Sequence, residues 1–64
     1  MTWTTETLRS GVALDTAYDH RRELGTVSGT WYRVRQGSNV CLTTRNRGDA
    51  LRLFQDRVFR ASGA

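Results

Sequence analysis

Apolar and polar residues alternate most clearly between Gly29 and Thr44, and that stretch predicts a β-hairpin. Tyr32 and Val34 fall on one face of its first strand, with Trp31, Arg33 and Arg35 on the other. On the second strand Val40 and Leu42 share a face, opposite Cys41 and Thr43. A one-residue slip inverts a strand, so the register has to bring the apolar sets together. A three-residue loop, Gly37-Ser38-Asn39, does this by pairing Val34 with Leu42, Arg35 with Cys41 and Arg33 with Thr43. It leaves Asn39 at the position that wants a left-handed backbone. The expected core face is then Tyr32, Val34, Val40 and Leu42. The expected outer face is Trp31, Arg33, Arg35, Cys41, Thr43 and Arg45.

Helical spacing takes over after the hairpin. Ala50, Leu51, Phe54, Val58 and Ala61 make one apolar stripe and predict a helix over 47–61. Asn46 suits its N-cap, and Asp49 stands where a capping-box acid would. Phe59 falls on the polar side of that helix, where it either packs under the N-terminal segment or meets a partner. Residues 2–8 are rich in β-formers and read as an edge strand or an extended arm, with Trp3 either plugging the core edge or meeting a partner.

Residues 11–24 carry two patterns. As a helix, Ser10 caps the start, Gly25 ends it, and Leu14, Ala17, Tyr18, Arg21 and Leu24 share a side. As a strand, Val12, Leu14, Thr16 and Tyr18 alternate with Ala13, Asp15, Ala17 and Asp19, behind a hairpin turn at Arg9-Ser10-Gly11. Alanine, leucine, arginine and glutamate in the second half favour the helix. Residues 24–28 could add a short strand. The resulting fold class is α+β: a small antiparallel sheet, built on the hairpin 30–35/40–44 with one or two short strands, packed on helix 47–61, with an additional helix at 11–24. If residues 2–19 instead form a second hairpin beside the first, the arginine face is partly covered.

Composition narrows this picture. A chain of 64 residues has room for a single domain, 1–64, with a marginal core. Apolar residues make up 38% and charged ones 25%, which suits a small globular domain. One cysteine excludes an internal disulfide and a multi-cysteine zinc site. No apolar run reaches the ~20 residues of a membrane span, and the N-terminus has no signal pattern. A cytoplasmic protein of a bacterium or of one of its viruses is expected.

The net charge is +4 and every basic residue is arginine, a bias that GC-rich codon usage also produces. Its distribution is more informative. Residues 1–28 hold Arg9, Arg21 and Arg22 against four carboxylates, whereas residues 29–64 hold seven arginines against Asp49 and Asp56. Such an asymmetry points the second half toward an anionic partner. Guanidinium groups make bidentate contacts to phosphate or to a guanine edge, and a two-stranded ribbon fits the major groove of DNA. Arg45 and Arg47 flank the start of the helix, whose N–H groups also favour a phosphate. The candidate binding residues are therefore Trp31, Arg33, Arg35, Thr43, Arg45 and Arg47. A merely solvated polar face is the plain alternative, against which Trp31 counts as an interface-type aromatic.

Leu24 to about Ala61 resembles the arm-type, or AP2-like, DNA-binding domain of tyrosine-recombinase integrases, on Gly29, Trp31, Tyr32, Arg33, Thr43, Thr44, Asp49, Ala50, Leu51 and Phe54. The resemblance implies a three-stranded sheet laid in the major groove and a free-standing accessory or directionality module. Residues 1–23 have no counterpart in it.

Catalysis has little support. His20 and Cys41 are single and lie in different elements, no phosphate-binding glycine loop exists, and no metal or cofactor is implied. The expected function is a small non-enzymatic DNA-binding module. The alternative is a protein-binding inhibitor or adaptor of the anti-CRISPR kind, docking on an acidic surface of a host protein complex. A homodimer is a further option, given the small core.

Overall fold

The computed structural model describes residues 2–18 and 29–63. Four strands, β1 (Trp3–Arg9), β2 (Val12–Tyr18), β3 (Thr30–Gln36) and β4 (Asn39–Thr44), form one antiparallel sheet in the order β1-β2-β3-β4. Helix α1 (Arg47–Ala61) packs across β2, β3 and β4. The α+β class, the central hairpin and the C-terminal helix are as the sequence implies.

The additional helix expected over 11–24 is corrected. Val12–Tyr18 is a strand, and it lies inside the sheet between β1 and β3. Its two-residue period decided the outcome: Val12 and Leu14 are buried on one face, Ala13, Asp15 and Ala17 on the other. Pairing on both sides overrides the helix propensity of alanine and leucine. The turn before it is Ser10-Gly11, with Arg9 paired to Val12. Both turn residues have positive φ, 52° and 78°, the type I′ pattern that matches the twist of paired strands. Residues 19–24 of the expected helix and the short strand at 24–28 lie outside the described residues.

The β3–β4 hairpin keeps its expected core pairing but not its expected loop. Val34 pairs with Leu42 and Arg33 with Thr43, but Arg35 faces Val40 and Gln36 faces Asn39. The loop is the two-residue Gly37-Ser38, and Gly37 takes the left-handed φ of 61°. Glycine adopts that φ without a Cβ clash, so the shortest turn closes. The extra residue is absorbed by a bulge opposite Val34 and Arg35. Cys41 consequently packs against the core, and Val40, expected inside, is 52% exposed. A backbone hydrogen bond from Gly37 N to Gly11 O (3.1 Å) ties the two hairpin turns together.

Val12, Leu14 and Val34 meet Ala50 and Phe54 of α1 in the core, with Tyr32, Leu42, Leu51, Leu53 and Val58 around them. Each fully buried aliphatic side chain contributes about 1.5–3 kcal/mol against exposure. Ala61 stays exposed, and Leu53 replaces it in the packed stripe. Asn46 caps the helix: its Oδ1 accepts from Asp49 N at 3.1 Å. At the other end Ser62 N donates to Val58 O, and Gly63 turns left-handed at φ 79°.

Candidate nucleic-acid interface

No described element lies over the second face of the sheet. The strand register lays its side chains out in three rows. Trp3, Ala17 and Trp31 form the first; Thr5, Asp15, Arg33 and Thr43 the second; Leu8, Ala13, Arg35 and Val40 the third. Arg45 extends the first row, with its guanidinium 5.5 Å from the centre of the Trp31 ring.

The middle of this face is built around Asp15, which is only 1% exposed. Arg33 Nε donates to Asp15 Oδ2 at 2.9 Å, and Arg33 Nη2 approaches the same oxygen at 2.8 Å. Arg35 Nε donates to Oδ2 at 3.0 Å, and Thr5 Oγ1 donates to Oδ1 at 2.8 Å. Burial works against the charged carboxylate, but the hydrogen bonds from Arg35, Arg33 and Thr5 outweigh it. Asp15 therefore titrates below its ordinary range. A buried charge left unpaired would be costly; here it is paired on both oxygens.

The two arginines are engaged to different degrees. Arg35 also donates from Nη1 to Gly37 O at 2.9 Å, and its Nη2 lies 3.5 Å from Thr5 Oγ1. All three of its nitrogens thus face partners within the chain, and its side chain is 31% exposed, against 23% for Arg33. Arg33 crosses β2 and stacks on Trp3, its guanidinium carbon 4.3 Å from the ring centre. Its Nη1 bonds to no described residue. A guanidinium has five N–H donors in a fixed fork. The side-on pair serves Asp15, and the end-on pair of Nη1 and Nη2 remains.

Of the six residues singled out from the sequence, Trp31, Arg33, Arg35, Thr43 and Arg45 share this face. Arg47 does not. It sits on the helix side, bonded through Nη1 and Nη2 to Glu6 at 3.1 and 2.9 Å and placed 5.6 Å from the centre of the Tyr32 ring. That pairing lowers the pKa of Glu6, chiefly through the Arg47 hydrogen bond, and raises that of Arg47. The helix N-terminus beside it is occupied by the Asn46 cap.

Trp3, Thr5 and Asp15 also line this face; Thr5 and Asp15 were missed as functional residues, whereas Trp3 was read as a plug of the core edge or a partner contact. The signal was present in the strand pattern of 11–19, which puts a carboxylate between two alanines, facing arginines two residues apart on the next strand. Cys41, expected opposite Arg35, falls in the bulge instead, and its thiol lies 3.9 Å from Asn39 O. His20 lies outside the described residues. Phe59 is 65% exposed beside a shallow groove that α1 forms with Thr7 and Arg9 of β1. Among the described residues no helix is long and apolar enough to cross a membrane.

No family model matches the chain, nor does any curated protein or solved structure.

Proposed function

We propose that the protein is a small nucleic-acid-binding module that docks the uncovered face of its sheet on DNA. One observation carries the reading. The face carries Arg33, Arg45 and Trp31, each half-buried, while Asp15, its one carboxylate among the described residues, is buried and used internally. Arg33 retains an end-on fork for a phosphate or a guanine edge. Arg45 and Trp31 add a cation next to an aromatic surface, a combination that suits nucleic acid.

Alanine at Arg33 or Arg35 would strand Asp15, so such variants would mix binding with folding. Arg45→Ala, and Arg33→Lys, which keeps a cation for Asp15, separate the two. A mobility-shift titration with duplex DNA at ~50 mM salt should show retention that is lost at several hundred millimolar, as counterion release requires. Arg45→Ala should weaken it and flatten its salt dependence. Absence of retention of duplex, single-stranded DNA and RNA at low salt would overturn the proposal.

A second reading has its own observation. The third row ends in Leu8 and Val40, which are 64% and 52% exposed. Apolar ends beside arginines suit an acidic protein surface, and an adaptor or inhibitor would use them. Pull-down from nuclease-treated lysate separates the readings: a partner that survives nuclease and is lost in Leu8→Ser favours this one.

A further inference from the structure

We infer that Asp15 is a positioning residue for anion binding, holding Arg33 side-on so that its end-on fork faces a backbone phosphate. The inference rests on the nucleic-acid reading above. Two roles are open to a carboxylate under a basic face, and they predict opposite effects of its removal. A competitor would occupy the donors that the ligand needs. A positioner would occupy the donors that the ligand does not use and fix the remainder.

The geometry selects the second role. One oxygen, Oδ2, takes Nε and Nη2 of Arg33 together with Nε of Arg35. The other, Oδ1, is turned toward Thr5 on β1. Neither oxygen touches Nη1 of Arg33. Trp3 holds the flat of the same guanidinium from a third strand, so its plane as well as its edge is set. Arg35 completes the clamp from the far side and is itself fastened to Gly37 O. A long side chain fixed in this way loses little freedom when it meets a phosphate.

The test is counterintuitive in sign. Asp15→Asn makes the protein more basic by one charge, and general electrostatics would then tighten binding and steepen its salt dependence. Positioning predicts the reverse: roughly three- to tenfold weaker binding, the scale of ordering one or two side chains. The logarithmic salt slope should fall by about 0.9 for a lost phosphate contact. The probe is duplex DNA titrated at several salt concentrations, with circular dichroism establishing that each variant is folded at the assay temperature. Thr5→Val, which removes a hydrogen bond from Oδ1 without changing any charge, should weaken binding in the same direction by a smaller factor. It decides the matter should Asp15→Asn fail to fold. Equal or tighter binding by Asp15→Asn with a steeper slope would overturn the inference and leave the nucleic-acid reading standing, as would unchanged binding by Thr5→Val. No binding by the wild-type chain would remove both.

Discussion

On the helix side of the sheet, Val12, Leu14 and Val34 are shielded by Ala50 and Phe54 of a second layer. On the other side, Ala13, Asp15 and Ala17 are shielded as fully, yet without a second layer among the described residues. There the cover is made by the sheet itself: Arg33 and Arg35 lie down across β2, and Trp3 and Trp31 flank the row. One face excludes water with apolar volume, the other with a charged network around a single carboxylate. Apolar packing is insensitive to pH and salt, and it contributes in proportion to area. An ion network contributes less net free energy, because desolvation consumes most of the attraction, but it fixes geometry. The first face therefore carries stability. The second keeps side chains that can still reach outward.

That contrast can be broken most strongly from the apolar side. Phe54→Ala should cost about 3–5 kcal/mol, the usual range for emptying such a site. Small domains hold only about 5 kcal/mol or little more, so the variant should be largely unfolded in a denaturant titration at 25 °C. A loss below about 1 kcal/mol would mean that α1 is not the lid of the core.

Asp15→Asn should cost less, about 1–3 kcal/mol, because the two arginines can turn to water. The same variant sharpens the contrast through pH. The folded pKa of Asp15 is depressed, so its contribution is complete above the unfolded carboxylate pKa of about 3.9 and is lost as pH falls through the folded value. Thermal midpoints should stay level from pH 7 to about 5 and fall below about pH 4. Asp15→Asn should flatten that fall. An equally steep fall in the variant would assign acid sensitivity elsewhere, with Glu6 the next candidate, since its pKa is also lowered.

The smallest effect belongs to neither face. Arg60 and Asp56 form an exposed pair one helical turn apart, at 3.2 Å. Arg60→Ala should change stability by less than about 0.5 kcal/mol and leave nucleic-acid retention nearly unchanged. A large loss of retention would move the binding surface to the helix.

Much of this architecture was legible from periodicity. The hairpin pair Val34–Leu42, the Asn46 cap and the Ala50/Phe54 stripe all follow from local spacing. What escaped is what depends on neighbours. Residues 12–18 satisfy a helix by propensity and a strand by alternation, and only the presence of β1 and β3 on either side chooses between them. The bulge that turns Val40 out and Cys41 in is likewise invisible from a strict two-residue period. The arginine face was legible as residue types. Its hub was not, because Asp15 becomes its centre only once β2 is a strand beside β3.

Both tryptophans of the chain, Trp3 and Trp31, lie on the uncovered face, so the protein carries its own reporter there. The most direct measurement is tryptophan fluorescence during titration with duplex DNA at ~50 mM salt, followed by stepwise addition of salt. Docking through this face predicts a saturable change in emission that reverses at several hundred millimolar. Unchanged emission throughout, or DNA retention measured in parallel without any change in emission, would contradict it.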